Sequence, residues 1–198
     1  MMPKITYVIG YRGSPNTRRP HLMATIENLR RQTEQNIEII LIEDAYSAGL
    51  CDNSGYAANV KGIDRYIYLR NHFGYCRSKV ANTGLKEAKS QYMVMHDADV
   101  LVPPDYTSRL LKHLNAGSKI LHIGLISGQL LWWETDDLFE ADDKYQYGLN
   151  MLKVRPPRKK AYKDPFTSYS IAMNVEAAKD IGGFYTKLLV GDTKTQVL

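Results

Sequence analysis

The sequence contains few cysteines, no long apolar run and no run of one charge that dominates the chain. Its 198 residues include two cysteines, Cys51 and Cys76. They lack the spacing of a zinc site, and a disulfide framework needs more cysteines. The apolar stretch near the N-terminus is too short for a signal peptide or a membrane span. These absences favour a reducing compartment, and we expect a cytoplasmic location.

The charge balance is moderate, with 26 Lys and Arg against 21 Asp and Glu and a net charge of +5. No run of Lys and Arg dominates, so nucleic-acid binding is not predicted, whereas an anionic ligand such as a nucleotide suits this charge. The one basic cluster, Arg155–Lys160, is interpreted as a solvated loop. Phosphate binding or peripheral contact with an anionic membrane is the alternative. No GxGxxG motif follows the first apolar run, which argues against a flavin or nicotinamide Rossmann protein.

Apolar runs alternate with amphipathic segments along the chain. Strands are predicted at Ile5–Gly10, Ile37–Ile42, Tyr66–Leu69, Tyr92–Met95, within Lys119–Leu131 and at Ser168–Met173. Helices are predicted from Pro20, over Arg77–Lys89, from Pro103-Pro104-Asp105 and over Val175–Ile181. The first has Leu22, Ile26 and Leu29 on one face, and the third carries Leu110, Leu111 and Leu114. Asn174 is predicted to cap the last helix, and Gly182-Gly183 to end it. This alternation predicts an α/β fold with a mostly parallel sheet.

In the segment Val94–Val100, an apolar run ends in Asp97-Ala98-Asp99. Alternate side chains of an extended chain share a face, so Asp97 and Asp99 are predicted to point to the same side. Two carboxylates at the mouth of a buried strand repel each other, and a divalent cation offsets that repulsion. Hard oxygen ligands suit Mg²⁺ or Mn²⁺, and such a metal would hold a diphosphate. The alternative is a solvated acidic turn after the strand.

Polar residues also follow two other predicted strands. Tyr11-Arg12 comes after the first strand and Glu43-Asp44 after the second. Ligands of mostly parallel sheets sit beyond the carboxyl ends of the strands. We therefore expect these residues to converge with Asp97 and Asp99 in one site.

The order of these motifs resembles the GT-A-fold glycosyltransferases, namely family 2 and the related β-1,4-galactosyltransferase-like proteins. The segments that carry the resemblance are Ile9–Arg12, Ile39–Asp44, Arg77–Ala88, His96–Pro103, Ser170–Met173 and Ile181–Phe184. The resemblance covers nearly the whole chain and implies one GT-A domain over residues 1–198. Residues 1–102 would form its nucleotide-sugar-binding half, and residues 103–198 an acceptor-side half with a short C-terminus.

The resemblance implies transfer of a sugar from a nucleoside-diphosphate sugar, expected to be a UDP-sugar, to a glycan or other hydroxyl acceptor. The anomeric carbon would invert, with Mn²⁺ or Mg²⁺ as cofactor. Asp99 would bind the metal directly and Asp97 would lie near the ribose and the metal. Asp44 would contact the nucleobase or ribose, or else act as a turn or helix-capping carboxylate. The donor site would also include Tyr11, Arg12, Arg77 and Lys79, and Asn82 would order the loop that carries Asp44.

The end of the chain departs from the family pattern. After Gly-Gly-Phe184 the family shows an acidic pair that supplies the catalytic base, whereas this chain offers Gly191-Asp192. Asp192 is therefore the first candidate for the base, and Glu134, Asp136 and Asp137 are alternatives. Trp132, Trp133 and Glu134 are candidates for acceptor binding, although the tryptophans could instead fill the edge of the core.

A further departure concerns the metal, because no histidine follows His122 to serve as a late metal ligand. The short C-terminus and the α/β layout with an acidic pair also suit two other classes. One is a nucleotide-binding module of the same fold without turnover. The other is a nucleotidyltransferase, for which Gly10–Gly13 is a poor match to the expected glycine-rich loop.

Overall fold

The computed structural model describes residues 2–12, 19–46, 57–71, 75–123, 170–184 and 186. Six strands form one sheet, and helices cover both of its faces. The strands are β1 (Ile5–Tyr11), β2 (Ile37–Tyr46), β3 (Arg65–Asn71), β4 (Tyr92–Asp97), β5 (Ile120–Ile123) and β6 (Ser170–Asn174). The helices are α1 (Arg19–Arg30), α2 (Arg77–Glu87), α3 (Tyr106–Asn115) and α4 (Val175–Asp180). The predicted α/β class is confirmed.

The strand order in the sheet is β3-β2-β1-β4-β6-β5. The four strands β1 to β4 pair with one another in parallel. Strand β6 runs antiparallel to both of its neighbours, β4 and β5. The sheet is therefore mostly parallel, as expected. Its register places Gly10 opposite Asp97 and Tyr11 opposite Glu43, at the carboxyl ends of β1, β2 and β4.

The first strand is buried on both faces, which explains its unbroken apolar sequence. On one face Ile5, Tyr7 and Ile9 pack in a core with apolar residues of α1 and α3. On the other face Val8 packs with apolar residues of β2, α2 and α4. The helix residues predicted to face the core are buried: Leu22, Ile26, Leu29, Leu110, Leu111 and Leu114.

Strands β2 and β4 are among those that extend beyond their predicted ends, and both extensions concern candidate site residues. Strand β2 continues to Tyr46 because β3 pairs with it there, Glu43 opposite Tyr68 and Asp44 opposite Leu69. Glu43 and Asp44 therefore lie inside a strand rather than after it. Strand β4 continues to Asp97, and the chain turns at residues 98–99.

The last described helix has the predicted boundaries to within one residue. The Asn174 side chain accepts a hydrogen bond of 3.0 Å from the backbone N–H of Ala177, which caps α4. Gly182 and Gly183 follow the helix with φ of +83° and +73°, a region that L side chains rarely adopt. The local capping signals predicted this segment correctly.

Several predicted features lie outside the described residues: the strand after residue 123, Trp132, Trp133, Glu134, Asp136, Asp137, the basic cluster Arg155–Lys160 and Asp192. Within the described ranges, no helix has the length and hydrophobicity that crossing a membrane would require.

Candidate functional site

A polar cavity of about 250 Å³ lies at the carboxyl ends of β1 and β4. Its lining residues come from β1, the segment after it, α1, the start of α2, β4 and the turn after β4: Gly10, Tyr11, Arg12, His21, Tyr75, Arg77, Asp97, Ala98 and Asp99. The structure thus brings together five of the predicted donor-site residues. The parallel arrangement of β1 and β4 causes this, because it directs both strand ends to the same edge.

Asp97 forms an ion pair inside this cavity. The Arg77 Nη2 atom lies 2.8 Å from Asp97 Oδ1. Burial raises the pKa of Asp97 from 3.8 to about 6, while the Arg77 guanidinium lowers it and the Asp99 charge raises it further. Desolvation therefore outweighs the ion pair, and the site disfavours two neighbouring negative charges.

The acidic pair has the chemistry of a divalent cation site. Asp97 and Asp99 line one cavity and repel each other, and a cation would relieve that repulsion. Among the residues that the structure describes, no group of three or more His, Cys, Asp and Glu side chains could enclose a metal ion. Mg²⁺ commonly binds one or two carboxylates and completes its coordination with water and substrate phosphates. The residues present fit a cation of that kind, held together with a phosphate ligand.

Two arginines give the cavity its positive charge. Arg12 follows β1 and Arg77 begins α2, and both line the cavity beside the acidic pair. Guanidinium groups bind phosphate oxygens through paired hydrogen bonds. A cavity that combines arginines with a carboxylate pair can bind an anionic diphosphate and a cation at the same time.

Asp44 and Lys79 are not among the cavity-lining residues. Asp44 is fully buried, and its Oδ2 atom accepts a hydrogen bond of 2.7 Å from the backbone N–H of Cys76. Cys76 is the N-cap residue of α2. Asp44 therefore holds the start of the helix that carries Arg77, which agrees with the capping alternative for this carboxylate.

Two lining residues, His21 and Tyr75, were missed by the sequence analysis. Tyr75 packs against Gly10, where an added Cβ would collide with the tyrosine hydroxyl oxygen. Burial raises the pKa of Tyr75 to about 12, so the phenol stays protonated at neutral pH. The glycine inside the apolar run of β1 was the available signal, since a strand glycine marks close approach by another group.

Within the described residues, Asn82 binds the Gly-Gly-Phe turn, whereas it was expected to order the loop that carries Asp44, of which residues 47–56 lie outside the described ranges. Its Nδ2 atom donates a hydrogen bond of 2.7 Å to the Phe184 carbonyl, and its Oδ1 atom accepts one of 2.8 Å from the Phe184 N–H. The Asn82 amide thus fastens the Gly-Gly-Phe turn to α2. Sequence separation hid this pairing, because the two residues lie about a hundred positions apart.

His96 lies beneath the acidic turn and is buried. Its Nε2 atom is 3.2 Å from the Val100 carbonyl oxygen, so Nε2 carries the proton of this bond. Its Nδ1 atom is 3.2 Å from the Ser170 hydroxyl, which receives a hydrogen bond from Tyr106. Burial lowers the pKa of His96 to about 4, so the ring is neutral at pH 7.

Two solved structures share this fold. A mannosyltransferase from Pyrobaculum calidifontis, solved in complex with GDP-Man and Mn²⁺, matches 95% of this chain and 49% of its own, with a TM-score of 0.57 and 17% identity. TarS from S. aureus matches 95% of this chain and 52% of its own, with a TM-score of 0.58 and 12% identity. These likenesses establish the fold, and the expected GT-A architecture is confirmed.

The sequence comparison identifies the family. The model of Glycosyl transferase family 2 matches residues 16–182, and the chain belongs to this family. Glycosyltransferase GlyG from Streptococcus pneumoniae is 30% identical over 108 residues, which are 52% of this chain and 34% of that protein. The chain thus spans about a third of that relative's length. The family 2 resemblance is confirmed, and the galactosyltransferase-like subtype stays a prediction.

Proposed function

We propose that this domain transfers a sugar from a nucleoside-diphosphate sugar to a hydroxyl acceptor, with inversion at the anomeric carbon and a divalent cation as cofactor. The observation that supports this proposal is the cavity itself. In a family 2 domain, Asp97 and Asp99 share one cavity with Arg12 and Arg77 at the carboxyl edge of the sheet. This is the charge arrangement that a metal diphosphate requires.

The donor diphosphate would lie between the two arginines and the acidic pair. Asp99 would hold Mn²⁺ or Mg²⁺ directly with Asp97 beside it, and the bound cation would neutralise charge on the leaving diphosphate. Arg77 fixes the Asp97 carboxylate through their 2.8 Å ion pair. Its guanidinium, together with Arg12, would contact the phosphate oxygens.

The nucleoside would lie toward Tyr11 and the start of α2, where Lys79 is proposed as an additional contact. Asp44 is proposed at the nucleobase or ribose. Its bond from the Cys76 N–H supports the alternative, in which the carboxylate holds α2 and thereby Arg77. We propose UDP as the nucleotide, and GDP is the other candidate, since a solved structure of this fold contains GDP-Man.

In the transfer step, an acceptor oxygen would attack the anomeric carbon from the face opposite the diphosphate. The bond from that carbon to the acceptor oxygen forms while the bond to the diphosphate oxygen breaks. Asp192 is proposed to take the acceptor proton. Such general-base catalysis typically raises a reaction rate by about 10²- to 10⁴-fold. Trp132, Trp133 and Glu134 are proposed to bind the acceptor. If Asp192→Asn kept full turnover, the base would have to be another carboxylate.

The first test is a calorimetric titration of the purified chain with UDP and with GDP, with and without Mn²⁺. We expect one nucleotide to bind in a metal-dependent manner. Asp99→Ala should weaken that binding by at least about tenfold, because a lost ligand charge costs more than about 1.4 kcal/mol. Asp180→Ala removes an exposed carboxylate away from the cavity and should bind as the parent does.

Two outcomes would contradict the proposal: no binding of either nucleotide, or equal binding by Asp99→Ala and the parent. Release of nucleoside diphosphate from the sugar nucleotide is then measured in the presence of hydroxyl acceptors. Tight metal-dependent binding without any such release would favour the nucleotide-binding module over the transferase.

A further inference from the structure

Three buried polar side chains lie along one side of α1 and its continuation. Thr25, Asn28 and Gln32 are 0%, 3% and 1% exposed. Their spacing of three and four residues places them on the same face as the apolar residues that pack on the sheet. An unpaired polar group in such a place destabilises the folded protein, so each of the three needs a partner.

All three find their partners in the segment that follows β4. The Asn28 amide donates to the Val102 carbonyl at 3.0 Å and accepts from the Val102 N–H at 2.8 Å. The Gln32 amide donates to the Pro103 carbonyl at 2.8 Å and accepts from the Thr107 N–H at 3.0 Å. These bonds fasten the chain between the acidic turn and α3 to one face of α1.

Thr25 makes the bond that reaches the acidic turn itself. Its hydroxyl donates to the Ala98 carbonyl oxygen at 3.0 Å. Ala98 lies between Asp97 and Asp99, and the peptide group that joins Ala98 to Asp99 is planar. The bond from Thr25 therefore fixes the orientation of this peptide group, and with it the position of the Asp99 Cα atom that carries the side chain.

We infer that Thr25 is a positioning residue for the acidic pair, whose hydroxyl holds Asp99 ready to bind a cation together with a diphosphate. This inference rests on the proposed function, in which Asp99 is the metal ligand. Without the hydroxyl, the Ala98–Asp99 peptide would sample other orientations. The apparent metal affinity would then equal the affinity of the competent orientation multiplied by the fraction of molecules that adopt it.

The test measures free Mn²⁺ by electron paramagnetic resonance, in one series with UDP and in a parallel series with GDP. Thr25→Val keeps the shape of the side chain and removes the hydroxyl, and we expect about fivefold weaker Mn²⁺ binding, the factor for one lost hydrogen bond of about 1 kcal/mol. Thr25→Ser keeps the hydroxyl and should bind within about twofold of the parent, by the same reasoning.

Thr6→Val is the matched control. Thr6 is equally buried, and its hydroxyl donates to Glu38 at 2.8 Å and pairs with Ser90 at 2.7 Å, at the end of β1 opposite the cavity. Both valine variants should lower the melting temperature, whereas Thr25→Val alone should weaken Mn²⁺ binding. Should Thr25→Val fail to fold, Thr25→Ala and Thr6→Ala form the equivalent pair.

Equal Mn²⁺ affinities for the Thr25 and Thr6 variants, with binding lost in Asp99→Ala, would overturn the inference and leave the proposed function standing. Unchanged binding by Asp99→Ala would overturn both. Weakening in Thr25→Val that Thr25→Ser restores, together with loss in Asp99→Ala, is the expected result.

Discussion

Lowering the pH should destabilise this protein through His96. The ring is 1% exposed, and burial lowers its pKa from 6.5 to about 4, against a smaller opposing effect of the Val100 hydrogen bond. In the unfolded chain the pKa returns to about 6.5. Between these values the unfolded chain holds a proton that the folded protein does not. Stability that is fully present above pH 6.5 is therefore lost as the pH falls toward 4.

The magnitude follows from the two pKa values. A gap of about 2.5 pH units, at about 1.4 kcal/mol for each, corresponds to about 3–4 kcal/mol of unfolding free energy, of which about 3 kcal/mol is lost by pH 4. Asp97 contributes with the opposite sign, because burial raises its pKa to about 6 and the folded protein then holds the extra proton. The pH dependence of the parent alone would therefore not isolate His96.

The assay is urea unfolding of the parent and of His96→Gln at several pH values from 7 to 4. Glutamine keeps a hydrogen-bond donor for the Val100 carbonyl and does not titrate, and Asp97 is present in both proteins. We expect the parent to lose about 3 kcal/mol more unfolding free energy than the variant over this range. Parallel curves for the two proteins would refute the reasoning.

Two further predictions concern the packing of α2. Gly84→Ala places a Cβ 2.7 Å from both methyl groups of Val8, so urea unfolding should show that the unfolding free energy falls by about 1–2 kcal/mol despite the better helix propensity of alanine. In a chain that already carries Val8→Ala, the same Gly84→Ala change should cost less. A Gly84→Ala protein that is more stable than the parent would contradict the close contact. Asn82→Ala leaves the Phe184 N–H and carbonyl without the side chain that binds both, so the unfolding free energy should fall by about 2–3 kcal/mol. Faster amide hydrogen exchange at Phe184 should accompany that loss, and unchanged exchange would argue against the Asn82 clamp.

Local signals predicted much of the fold. The apolar run at Ile5–Gly10 sufficed for β1, because a strand buried on both faces needs no alternation. The leucine and isoleucine spacing of α1 and the Asn174 cap of α4 also depend on a few neighbouring residues only. The strand order was not predictable from such signals, since β6 reaches its place between β4 and β5 through pairing with distant segments.

The candidate site was predicted in part for the same reason. Asp97, Asp99 and Arg12 were predicted to share a site because each follows a predicted strand, and all three line one cavity where the ends of parallel strands meet. Asp44 also sits near a strand end, yet it pairs with β3 inside β2 and is fully buried, with its carboxylate bound to the N-cap residue of α2. Polar residues on the apolar face of α1, such as Thr25, were an available signal for buried hydrogen bonds that was not used.

The insertion of β6 between β4 and β5 has a consequence for the order of assembly. During synthesis, β1 to β4 can pair once β4 has emerged, because all their parallel partners lie among these four strands. Strand β5 joins the sheet through β6, which begins at Ser170. Until that residue has left the ribosome, the hydrogen-bonding edge of β4 beside the acidic turn has no β6 to cover it. The nascent chain therefore carries an open strand edge for a large part of its translation, a template for pairing with other chains that holdase chaperones would be suited to protect.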